Sequence, residues 1–257
     1  MPIPSYRAFS LVILACLSTP MAALSQVSSN IPSVLSQTMQ RLGGSPPEDS
    51  VISASVTITA GSTQESGNLR IAMKSTTHTS ETYDTPTTAH HVVFAAGVAS
   101  ESKGPSKLKE LPFGRTLTAQ SALSPLTFLA SKIADKSLHV EDLGLQSLDG
   151  LPTRQLQISS SWANDKALSP YQEFTVYEIW LDPVTSLPRA VSYRQREGIG
   201  AIPWVAIRVE YEDYRAVGGL LYPYHITKYV NGTMWADINV TSVAINKGLA
   251  ISEFATK

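Results

Sequence analysis

The residues spaced for chemistry are few. His90 and His91 are adjacent in an extended segment, so their side chains point to opposite faces and cannot share one metal from one face. His78, His139 and His225 are scattered. Glu210 and Glu212 fall on one face of a strand-like segment, with Asp213 on the other. A carboxylate pair of this kind can do acid–base work. Arg208 and Arg215 flank it, however, and an exposed, charge-balanced strand explains the whole set. Asp182 precedes Pro183, where its carboxylate suits an Asx-type turn bond. There is no Gly-x-Ser-x-Gly elbow, His-Glu-x-x-His helix, phosphate-binding loop or dinucleotide fingerprint. Asn231-Gly232-Thr233 and Asn239-Val240-Thr241 match the glycosylation sequon, and the first reads better as a turn. These patterns imply no catalytic residue, no metal and no cofactor.

Composition narrows the classes further. The chain has 257 residues, with 20 basic and 21 acidic side chains, a net charge of −1, and 43% hydrophobic residues. Near-neutral charge argues against a nucleic-acid partner. The apolar content is too high for a disordered chain, and the length allows one large all-β domain or two small ones. The single cysteine, Cys16, excludes an internal disulfide framework and a Cys-based zinc site.

Arg7 precedes an apolar run from Ala8 to Leu17, then Ser18, Thr19, Pro20 and small residues. This is the order of a secretory signal, with cleavage expected after Ser25. The run is shorter than the roughly 20 residues that span a bilayer. The expected division is a signal peptide at 1–25 and one domain at 26–257, exported to the periplasm. Cys16, at the end of Ile13-Leu14-Ala15-Cys16, admits a second reading as the lipidated cysteine of an outer-membrane lipoprotein. Either way, the folded part holds no later cysteine and relies on its core.

The elements that must position any site are mainly strands. Asn30 to Leu42 reads as a helix, capped by Asn30, with Pro32 in its first turn and an apolar stripe of Ile31, Val34, Leu35, Met39 and Leu42. Gly43-Gly44 ends it. The period then becomes two: Ile52, Ala54, Val56 and Ile58, then Leu69, Ile71 and Met73 after a turn at Gly61 to Gly67, then strands at 76–83 and 91–95. Residues 103–118 read as a loop. Residues 117–132 read as a helical stretch whose main part opens at Pro125, with Leu126, Leu129, Ala130 and Ile133 on one face. Strands return at about 138–147, 153–162, 172–182, 189–197, 202–215, 219–230 and 233–245, separated by turn residues such as Asn231-Gly232. The pattern is an antiparallel meander interrupted by helices at its start and middle. Aromatic residues concentrate from Trp162 onwards. Strands favour them, and rings beyond what one sheet face buries would line a cavity.

Several segments resemble a known family. Trp180-Leu181-Asp182-Pro183-Val184-Thr185-Ser186-Leu187-Pro188-Arg189 is similar to a strand-turn-strand segment of the periplasmic lipoprotein carriers of the LolA type and their relatives. So is Tyr211-Glu212-Asp213-Tyr214-Arg215, followed by Gly219-Leu220-Leu221-Tyr222-Pro223. Gly67-Asn68-Leu69 and Ser124-Pro125-Leu126 sit in the family's order. The resemblance implies an α+β, mainly antiparallel β fold: a curved, unclosed half-barrel with helices covering its concave face. It implies a hydrophobic ligand, either a lipid or the acyl chain of an envelope lipoprotein, bound by a monomer that contacts the membrane at most peripherally. The cavity set it implies is Leu69, Ile71, Met73, Val92, Phe94, Tyr177 and Ile179, with Leu126, Leu129 and Ile133 on the lid. The family's cavity Arg corresponds to Met73, and the aromatic residues of its next strand correspond to Thr77 and Thr79. Those departures separate lipoprotein transfer from the fold. An envelope sensor or scaffold that recognises another protein, and a hydrolase, are the other functions considered.

Overall fold

The computed structural model describes residues 31–162, 164–200 and 203–256. The expected export signal and Cys16 lie outside these residues. The chain starts with α1 (Ile31–Arg41), then runs through β1 (Asp49–Ala60), β2 (Thr63–Lys74), β3 (His78–Asp84), β4 (His90–Ala95), β5 (Val98–Lys103) and β6 (Lys109–Glu110). Two helices follow, α2 (Phe113–Leu117) and α3 (Pro125–Ile133). Seven strands complete the sheet: β7 (Leu138–Leu148), β8 (Leu151–Ser160), β9 (Tyr177–Leu181), β10 (Pro188–Gln195), β11 (Val205–Val217), β12 (Leu220–Val230) and β13 (Thr233–Ile245).

All thirteen strands form one sheet in the order β6-β5-β4-β3-β2-β1-β13-β12-β11-β10-β9-β8-β7. The first six strands step outward to one edge. The α2–α3 connection crosses to the opposite edge, and the last seven strands step back until β13 pairs antiparallel with β1. The sheet stays open, with β6 and β7 as its edges. It must also curve. Phe94 on β4 and Ile158 on β8 line one cleft, although a flat sheet with about 4.8 Å between strands would hold them on the order of 40 Å apart. The fold is therefore the unclosed half-barrel expected from the sequence.

Period-two alternation gives each strand an inner and an outer face. Inner residues Ile52, Val56, Leu69, Ile71, Leu156, Ile179, Val209, Ile226 and Ile238 make one continuous core with Leu35 of α1, Leu42 just after it, and Leu126, Phe128 and Leu129 of α3. Gly43 ends α1 with φ +110°, and a Cβ there would lie 2.7 Å from the Gly219 carbonyl oxygen. Only glycine permits both, and the Leu221 amide donates to the Leu42 carbonyl beside it. On the outer face, Phe254 packs on Ala72 and Val93. Buried Asp49 clasps this tail by accepting the amides of Lys247, Gly248 and Leu249 at 2.7, 2.8 and 3.0 Å.

Four boundaries differ from the sequence reading. Thr63–Ser66 continue a ladder against Thr57–Ala60, so only Gly61 and Ser62 turn; pairing outweighs their polar composition. The stretch read as a loop at 103–118 contains β6 and α2. Helix α3 starts at Pro125 because the Thr118, Gln120 and Ser121 side chains bond to backbone groups instead of sustaining a helix. Ser169–Thr175 form a 3-10 turn, held by the Gln172 side chain, which accepts from the Trp162 amide and donates to the Ser160 carbonyl.

Candidate functional site

The half-barrel's inner face is largely filled. Leu69, Ile71 and Met73 are 1%, 0% and 1% exposed, and Leu126, Leu129 and Ile179 are equally buried among them. None of these six borders the polar pocket or the seam cleft. The mid-sheet groove expected from the resemblance is thus occupied by α1 and α3. Ile133, placed on the lid face by its spacing, is 40% exposed at the last turn of α3. The remaining three, Val92, Phe94 and Tyr177, do border open space, in two separate places.

Val92 borders a polar pocket of about 210 Å³. Register explains its walls, because Ile71, Glu81, Val92 and Glu101 are successive partners across β2 to β5 and so share the inner face. Arg115 of α2 reaches to 4.0 Å from Glu101 and donates to Glu197 at 2.8 Å. Lys228 enters from β12, opposite Val209, with its ammonium 4.9 Å from the Trp235 ring centre. The Tyr83 hydroxyl donates to Glu81 at 3.2 Å and its ring stacks on His90 at 4.2 Å. Burial depresses the pKa values of both His90 and Lys228, and Glu81 and Glu101 partly oppose the second shift. Two acids, two bases and a histidine held towards its neutral form leave the pocket charge-balanced.

Phe94 and Tyr177 border a cleft of about 270 Å³ at the open seam, where β4 and α2 face β7, β8, β9 and α3. Its apolar lining includes Phe113, Leu117, Leu138 and Ile158. Phe113 is 42% exposed and gives the cleft an apolar rim. Several of its polar groups are engaged with one another or with the backbone. Gln120 donates to the Thr76 carbonyl and accepts from Ser131. Asp135 accepts the Ser137 amide and hydroxyl, both at 2.8 Å, and the Ser160 hydroxyl at 2.6 Å. Lys132 lies over the Tyr177 ring at 4.2 Å and the Phe128 ring at 5.2 Å.

The clustered tyrosines are structural ties. Tyr177 and Tyr211 donate to the carbonyls of Leu117 and Ala122 at 3.0 and 2.6 Å, pinning both ends of the connector between α2 and α3 to the sheet. Tyr214 donates to the Pro188 carbonyl at 2.8 Å. Asp182 accepts the amides of Val184 and Thr185 and the Arg189 guanidinium. Burial would raise its pKa, but these donors outweigh that and draw it down to about 2. The Asp-Pro motif is therefore a hairpin turn, as its residues predict. Arg208 pairs with Glu210 at 2.9 Å and Arg215 with Asp213 at 2.6 Å, so the acidic strand is charge-balanced. Among the described residues, no three His, Cys, Asp or Glu side chains are grouped to hold a metal, and no helix is long and apolar enough to cross a membrane.

Sequence reasoning missed Glu81, Glu101, Arg115, Lys132 and Lys228. Glu81 and Lys228 had a usable signal, since each alternates with inward residues, Thr79 and Tyr83 in one case and Ile226 and Val230 in the other. Arg115 lies in a stretch read as loop, and Lys132 needed the seam's geometry.

No family model and no curated protein matches the chain. Solved structures do. An outer membrane lipoprotein-sorting protein domain (so described) from Vibrio parahaemolyticus is 13% identical, with a TM-score of 0.57 over 88% of this chain and 97% of that one. A LolA superfamily protein from Nitrosomonas europaea is 11% identical, with a TM-score of 0.57 and the same shares. A DUF1329 family protein from Desulfovibrio piger is 12% identical, with a TM-score of 0.56 over 89% of this chain and 98% of that one. With the open antiparallel sheet and its crossing helices, these likenesses give the chain the LolA-like fold.

Proposed function

We propose that this chain is a non-enzymatic binding protein of the bacterial envelope that holds one apolar chain of a lipid or other amphiphile in the seam cleft. The observation that carries this reading is the cleft itself, an apolar slot with an exposed aromatic rim, lined by Phe94, Phe113, Leu117, Leu138 and Ile158. Its size decides between ligands. At about 270 Å³ it falls just below the roughly 300–1,000 Å³ of common ligand pockets, which suits one chain and not several. Burying about eight methylenes at about 0.8 kcal/mol each gives on the order of 6 kcal/mol before the cost of immobilisation. Affinities in the micromolar-to-millimolar range follow, fit for a carrier that must also release. Titration of delipidated protein with a fluorescent fatty acid should give saturable uptake, and Phe94→Glu should abolish it while thermal unfolding stays cooperative. Uptake that does not saturate, or that survives the substitution unchanged, would overturn the reading.

The sealed inner face favours a second reading, in which the half-barrel recognises an envelope protein and its apolar face is plain core. Ligand-free protein recovered from membranes under native conditions, with no chain detected by mass spectrometry, would support that one.

A further inference from the structure

Among the described residues, the seam cleft contains one ammonium with which no carboxylate pairs directly. Lys132 projects from α3 into a lining otherwise dominated by rings and aliphatic side chains. Among the described residues its ammonium has no hydrogen bond and no ion pair; its contacts are the faces of Tyr177 and Phe128. The carboxylate in the same lining, Asp135, is already held by Ser137 and Ser160. Burial pushes the Lys132 pKa down to about 8, with the Asp135 charge only partly opposing, so the group still carries a proton at neutral pH. A protonated amine whose hydrogen-bond donors are unused, and whose acidic neighbour only partly offsets its desolvation, can receive an anionic group of a ligand.

We infer that Lys132 anchors the headgroup of the ligand and that the ligand is a single-chain monocarboxylate: its chain lies along Phe94, Leu117, Leu138 and Ile158, and its carboxylate meets the Lys132 ammonium. Geometry sets the order of the two parts. Lys132 belongs to the last turn of α3, while the apolar lining comes from α2 and from strands of both sheet edges. Charge selects the headgroup. The Asp135 carboxylate in the same lining repels every further negative charge, so a dianionic phosphate is disfavoured more than a monoanion. The inference rests on the chain-binding reading above and adds to it both a ligand class and the residue that recognises it.

The test compares dodecanoate with dodecanol, which share a chain and differ in charge, by calorimetric titration of the full-length mature protein at neutral pH. Wild-type protein should bind the carboxylate about tenfold more tightly, the worth of one charge-assisted contact. In Lys132→Met the two ligands should bind within about twofold of each other, with dodecanol affinity retained. Lys132→Gln, which keeps a polar end, should behave likewise and serves if the Met variant fails to fold. Dodecanol binding with no carboxylate preference in the wild type, or a preference that survives both substitutions, overturns the headgroup inference and leaves chain binding standing. Absence of binding by either ligand to the wild type overturns both.

Discussion

Two small cavities of this half-barrel are built from the same materials and treat charge differently. The polar pocket collects Glu81, Glu101, Arg115 and Lys228, two charges of each sign, and Arg115 also pairs with Glu197. The seam cleft, on the other side of the α2–α3 connector, leaves the Lys132 ammonium against aromatic faces. A self-balanced cluster specifies how a core packs and needs nothing from outside, whereas an unbalanced charge in an apolar slot costs stability until something arrives to meet it. On the proposed function, the first site completes the fold and the second receives the ligand.

The largest test concerns the filled inner face. Ile71 is fully buried, opposite Glu81 on the inner face. If this layer is core, Ile71→Asp should cost on the order of 4 kcal/mol or more, a large part of the 5–15 kcal/mol typical of a domain. Urea unfolding should show a correspondingly lowered midpoint. Near-wild-type stability would mean that the inner face opens freely, and the contrast between a filled middle and an accessible seam would be lost.

Next in size is the balanced pocket. Lys228→Met removes a cation from beside buried Glu81 and half-buried Glu101, and should destabilise by about 1–3 kcal/mol. The same substitution at Lys132 removes a desolvated charge that the Asp135 carboxylate only partly offsets, and should act in the opposite direction. Equal signs at the two lysines, measured by chemical unfolding under the same conditions, would erase the distinction between the pockets.

How much of this was legible beforehand follows the physics of each signal. The meander was legible because period two is local: Leu69, Ile71 and Met73 announce an inner face wherever the strand sits. The Asp182 turn was legible because its donors lie within seven residues. The filling of the groove was not. The same alternation describes a cavity wall and a packed core, and only the placement of α1 and α3 decides between them. The charged pocket was equally hidden. Glu81 and Glu101 stand twenty residues apart in sequence and become near neighbours through Val92, a register that composition does not state. Lys132 reads as an ordinary surface lysine on an amphipathic helix until β4 and β8 are brought round to enclose it.

The smallest predicted effect is the most discriminating. Lys132→Met should stabilise the ligand-free protein by about 1 kcal/mol, the release of a desolvated charge less the lost attraction to Tyr177 and Phe128. Its pH dependence fixes the cause. The folded pKa is about 8 and the unfolded value is about 10.4, so between them the unfolded chain binds more protons and wild-type stability rises with pH. The variant lacks this group. Its advantage should therefore be full below about pH 8 and shrink steadily towards about pH 10. Asp135 stays ionised throughout this window, its carboxyl held low by Ser160 and Ser137 against the effect of burial, and burial keeps the Tyr177 phenol protonated by pushing its pKa well up. Neither group can produce the slope. An advantage that does not change across the window would assign the stabilisation to packing, and Lys132 would cease to be a charge held in reserve.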